Sequence, residues 1–128
     1  MTFDYAAAGD LLERYGRAWQ AFDGDAWVDL FTTDVEYRDD PFGEPMIGRN
    51  AIRAYLLEAA ASQEAVAFTV ERHWYVEPTV LVAWHASYIQ RADRARVRLA
   101  GFMTLEMHEG RIARLREWYH RLETPVTG

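Results

Sequence analysis

Apolar residues recur every three or four positions in the first half of the chain and alternate with polar ones in the second half. Leu11, Leu12, Tyr15, Trp19 and Phe22 share one stripe, which predicts an amphipathic helix over about residues 5–22. "DGD" (residues 23–25) breaks it, and either aspartate can cap a short second helix in "AWVDLF". "VEYRD" (residues 35–39) alternates as a brief strand, and its prolines and glycines make "PFGEPMIG" a loop. "RNAIRAYLLEAAAS" then predicts a third helix that buries Ile52, Tyr55 and Leu56.

From there the period is two. "VAFTVERHWYV" puts Val66, Phe68, Val70, Trp74 and Val76 on one face, and "TVLVAWHASYI" is apolar on both, as a central strand can be. In "RVRLAGFMTLEM", Val97, Leu99, Gly101, Met103, Leu105 and Met107 oppose Arg96, Arg98, Phe102, Thr104 and Glu106. "RIARLREWYHRLE" is the last strand. "HEG" before it suits a three-residue hairpin loop with Gly110 in the left-handed position, since a two-residue turn would force positive φ on Glu109. That loop pairs Met107 with Arg111 and turns Ala113, Leu115, Glu117 and Tyr119 to the core. A slip of one residue would put Arg114, Arg116, Trp118 and His120 inside instead. Helices followed by a long antiparallel sheet make an α+β plan.

Composition narrows the chemistry. The 128 residues form a single domain, 1–128, long enough to bury roughly two-thirds of its unfolded surface. A net charge of −6 opposes a nucleic-acid or anionic-membrane surface. No apolar run approaches the ~20 residues of a membrane helix, and the first residues lack a signal-peptide pattern, so a cytoplasmic protein is expected. Cysteine and lysine are both absent, which removes thiolate nucleophiles, Schiff-base catalysis and a phosphate-cradling P-loop. His73, His85, His108 and His120 form no metal-ligand spacing, and Ser62 and Ser87 lack the context of a nucleophile.

Two segments carry a resemblance. "RYGRAWQAFDGDAWVDLFTTDVEYRDDPFGEPMIGRNAIRAYL" resembles the opening of the nuclear transport factor 2-like superfamily, in its SnoaL-like and ketosteroid isomerase branch. "HEGRIARLREWY" is similar to that family's glycine turn and final strand. The resemblance covers about residues 11–119. It implies a cone-shaped fold, with three N-terminal helices on the concave face of a curved, mostly antiparallel sheet around an apolar pocket. The superfamily includes isomerases, polyketide cyclases, dehydratases, epoxide hydrolases and non-catalytic binding modules. The expectation is a cofactor-independent acid–base enzyme for a small, largely apolar, oxygen-bearing molecule. The alternative is a non-catalytic module that binds a hydrophobic ligand or dimerises.

Residue by residue, Tyr15 falls where ketosteroid isomerase keeps its oxyanion-hole tyrosine, and Tyr55 on a second pocket tyrosine. The general-base aspartate falls on Asp39 without a gap, or on Asp40 if the Asp-Pro dipeptide is matched. Strand parity favours Asp39, which shares the side of Val35 and Tyr37. Met103 stands where the enzyme has a protonated aspartic acid, and a methionine cannot donate a hydrogen bond. In the favoured register Glu117 lies on the cavity wall and would replace that acid. Trp19, Phe31, Phe42, Tyr55, Leu99, Met103, Leu105, Leu115 and Tyr119 are read as the substrate-binding lining. No cofactor or metal is needed for this chemistry. Phe102 and Trp118, outward among arginines, fit the homodimer through the outer sheet face that the resemblance implies.

Overall fold

A computed structural model describes residues 2–126. Helix α1 (Tyr5–Ala21) begins where the Asp4 carboxylate accepts a hydrogen bond from the Ala7 backbone N–H, at 2.9 Å. It ends at Phe22, whose φ of 52° turns the chain out of the helix. Asp23 caps the one-turn helix α2 (Gly24–Val28) by accepting from the Ala26 N–H at 3.1 Å. Strands β1 (Phe31–Arg38) and β2 (Met46–Ile47) precede the long helix α3 (Arg49–Ser62). Four long strands complete the chain: β3 (Gln63–Val76), β4 (Thr79–Gln90), β5 (Arg96–His108) and β6 (Arg111–Thr124). Of the three helices, then, two are long, and two strands separate the third from the others.

The strands form one curved, mixed six-stranded sheet in the order β2-β1-β6-β5-β4-β3. All neighbours are antiparallel except β1 and β6, which run parallel and pair Tyr37 with Leu115. The helices cover the face that carries Val80, Val82, Met103, Leu105 and Leu115, and Leu11, Trp27, Ile52 and Leu56 pack against it in one buried cluster. Fully burying a side chain such as Trp27 or Phe31 is worth about 2–3 kcal/mol.

Besides β1 starting at Phe31, inside the segment expected as the second helix, the structure departs from the sequence pattern at three places. "PFGEPMIG", expected as loop, contributes β2, which pairs Tyr37 with Met46. In β3 a register shift between Val70 and Arg72 reverses the alternation. Val76 is therefore 67% exposed, and Trp74 stands against outward Phe102 at 6.3 Å instead of joining the core. His73 and Tyr75 take the inner side, against Tyr5 and Phe3.

The third departure is the final hairpin. Its loop has two residues, Glu109 (φ 51°) and Gly110 (φ 79°), and pairs His108 with Arg111. With an unbroken ladder this turn would point Leu115 and Glu117 outward. Ala113, however, is unpaired: Met107 pairs with Ile112 and Glu106 with Arg114. This bulge resets the alternation, so Leu115 and Glu117 face inward as the parity argument required, with Glu117 opposite Met103.

Candidate functional site

Glu117 is the one charged side chain among the described residues that is buried, at 8% exposure. The parallel pairing of β1 with β6 brings Tyr37 beside it, and the Tyr37 hydroxyl donates to Glu117 Oε1 at 3.2 Å. Helix α1 adds Tyr15, its hydroxyl 3.5 Å from that of Tyr37, and α3 adds Tyr55, its ring 5.5 Å from the Tyr37 ring. Trp19 closes the cluster edge-on to Tyr55 at 6.0 Å. These groups line a pocket of about 160 Å³ between the helices and the sheet, walled further by Phe68, Trp84, Leu99 and Tyr119. Gln63, Tyr88 and Arg121 also contribute to its lining.

The electrostatics follow from burial. Loss of hydration pushes the Glu117 carboxyl up to about 8; the Tyr37 hydrogen bond pulls it back and the Asp39 charge adds to the rise. No arginine pairs with Glu117 among the described residues. Burial, then the nearby Glu117 charge, holds the Tyr15, Tyr37 and Tyr55 phenols above their ordinary range. They are O–H donors at any pH the fold would meet, and at neutral pH Glu117 is mostly the neutral acid. A protonated carboxyl in a pocket of phenols can donate a proton to a ligand oxygen and take it back.

Asp39, which parity put in the pocket, is absent from its wall, and Asp40 lines the same outer groove. Asp39 is half-buried just past the end of β1, close enough for its charge to act on Glu117, Tyr55 and Tyr119. It lies outside the pocket wall, on an open groove of about 720 Å³ that shares Trp84, Glu117 and Tyr119 with the pocket. Asp40 is exposed and braces the turn: its carboxylate accepts from the Phe42 N–H at 2.9 Å and its carbonyl from the Gly43 N–H at 3.1 Å.

Of the expected lining, Trp19, Tyr55, Leu99 and Tyr119 wall the pocket. Phe42 does not; the Asp40 turn carries it out to 97% exposure. Phe31, Met103, Leu105 and Leu115 face inward but are packed with no exposure in the core, outside the pocket lining. Tyr37 and Trp84 were not singled out by the sequence. Tyr37 shares the parity of Asp39, but only the pairing of β1 with β6 places it on the acid. No group of three His, Asp or Glu side chains among the described residues is arranged to hold a metal ion.

A single curved sheet packed against helices, with one buried acid between them, is an α+β plan. The sequence profile of the SnoaL-like domain matches residues 12–115, and the chain belongs to that family. In three dimensions it is similar to the epoxide hydrolase/cyclase-like enzyme SalBIII of polyether salinomycin pyran-ring formation, with a TM-score of 0.82, 22% identity, and 93% of this chain and 95% of that one covered. It is also similar to the Δ5-3-ketosteroid isomerase of a Mycobacterium species (TM-score 0.79, 16% identity, 92% and 98% covered). A computationally designed 17-OHP binder shares the fold too (0.80, 20% identity, 94% and 98% covered). At these identities the likeness is one of fold. No curated protein matches the chain in sequence.

Proposed function

We propose that this protein is an acid–base enzyme for a small, largely apolar, oxygen-bearing molecule, with Glu117 as proton donor and the Asp39 carboxylate as its partner at the rim. The observation that carries this reading is a carboxyl held neutral by burial, in a pocket, with a phenol as its only hydrogen-bonding partner among the described residues. Perturbed acids of this kind concentrate where protons are moved.

In this scheme the proton on the free oxygen of Glu117 passes to the substrate oxygen as charge develops there. The carboxylate left behind keeps the Tyr37 hydrogen bond, and Tyr15 steadies Tyr37 from behind. For isomerisation, Asp39 removes a proton from carbon while Glu117 protonates the carbonyl; Asp39 then delivers its proton to another carbon as Glu117 takes the enol proton back, which completes the shift. For epoxide opening, Glu117 protonates the ring oxygen as its C–O bond breaks, and a water attacking carbon loses its proton to Asp39. Either use of a positioned acid is worth about 10²–10⁴ in rate.

The same reading places a second copy on the outer sheet face. Arg72 lies over the Trp74 ring at 4.7 Å and Arg116 over Trp118 at 5.2 Å, an aromatic–arginine surface of interface composition. Sedimentation of the wild type and of Trp118→Glu tests this: a dimer is expected only for the wild type.

The direct test of the chemistry is hydrogen–deuterium exchange at carbon in cyclic ketones, together with hydrolysis of cyclic epoxides, using the wild type, Glu117→Gln and Asp39→Asn. Turnover that falls at least a hundredfold in both variants supports the assignment. Undiminished turnover in Glu117→Gln overturns it, and ligands that bind without turnover would make the pocket a container.

A further inference from the structure

We infer that Trp84 sets the size of the pocket, restricting it to a ligand with a single ring. The inference rests on the pocket being the binding site, as proposed above, but not on what chemistry occurs there.

Three observations carry it. The pocket holds about 160 Å³, and a buried cavity of about 150 Å³ takes a molecule the size of benzene. Trp84 is only 4% exposed yet lines both this pocket and the open groove of about 720 Å³, and with Glu117 and Tyr119 it forms the partition between them, of which its ring is the largest part. The ring is held from three sides. It stacks on Phe68 (5.8 Å, 26°), leans on Tyr119 (6.1 Å, 51°), and lies so close over its strand partner Gly101 that a Cβ there would come within 2.5 Å of Cζ2. Glycine at 101 is thus what lets the indole lie flat across β5 and close off the pocket.

The test is binding, measured by calorimetry, of cyclohex-2-enone, 1-tetralone, a four-ring steroid ketone and oxygen-free cyclohexene. The wild type should prefer cyclohexenone to tetralone by at least tenfold and exclude the steroid. Trp84→Ala, which opens the partition, should shift that preference toward the larger ketones by about tenfold or more; Trp84→Leu serves if the alanine variant does not fold. Trp84→Phe, which keeps a ring in the partition, should hold the wild-type ranking of the ketones, and cyclohexene, of the enone's size, should not be excluded by any variant. Three results would overturn the inference: a wild type that binds the steroid as well as the enone, a wild type that binds none of the four, or a size ranking that Trp84→Ala and Trp84→Leu leave unchanged. Since no turnover is read, a catalytically silent protein with this ranking would refute only the acid–base reading.

Discussion

Tyr37 and Glu117, eighty positions apart in sequence, are joined by a 3.2 Å hydrogen bond across two parallel strands. The bond favours the charged carboxylate, against a burial that favours the acid. Removing it in Tyr37→Phe should therefore raise the Glu117 pKa above about 8 and move the alkaline fall of any Glu117-dependent activity upward. The variant should also lose about 1 kcal/mol of stability, measured by urea unfolding.

Glu117 should make the fold less stable as pH rises. Its folded-state pKa of about 8 lies above an unfolded value near 4.5, so folded protein alone holds the proton between those limits. The stabilisation is complete below pH 4.5 and is lost as pH rises through 8. Within the window the slope is at most about 1.4 kcal/mol per pH unit. Glu117→Gln keeps an acceptor for Tyr37 but has no proton to lose. Its melting temperature, followed from pH 5 to about pH 9, should not show this decline.

Replacing the two adjacent aspartates should have unlike effects. Asp39→Asn removes a charge that raises the Glu117 pKa, so Glu117 should titrate lower in that variant, as carboxyl ¹³C shifts would report. Its turnover should fall by about 10²–10⁴. Asp40→Ala loses the bond to the Phe42 N–H and should cost about 0.5–1 kcal/mol with turnover nearly intact.

Glu109 occupies a left-handed conformation (φ 51°) that suits asparagine better, next to Gly110 in a two-residue turn. Glu109→Asn should stabilise the protein by about 0.5–1 kcal/mol in chemical denaturation, with no change at the site.

Periodicity made the helices and long strands legible: α3 runs over the fourteen residues its stripe marks out, and β5 turns Val97, Met103 and Leu105 inward as its alternation requires. Parity reports which way a side chain faces, not how deep it lies. That is why Met103 and Leu105 were expected at the pocket and are found in solid core. Phe42 lies in a turn, where no period applies. The Glu109 turn was misjudged because a local rule against positive φ was outweighed by the pairing of two long strands. Tyr37 needed a contact between distant segments, and Trp84 needed the glycine beneath its ring. Neither relation leaves a mark along the chain.

The unpaired Ala113 in β6 separates the hairpin tip from the site. The tip can take the tight form that Gly110 permits, while the strand beyond it keeps the phase that aims Glu117 inward. Deleting Ala113 would straighten the strand and leave Met107 beside Ile112 and Glu106 beside Arg114, so the acid would keep its aim. The surplus residue is thus slack in the ladder. One residue can be lost at this spot, and the local bend with it, without turning the proton donor out of the pocket.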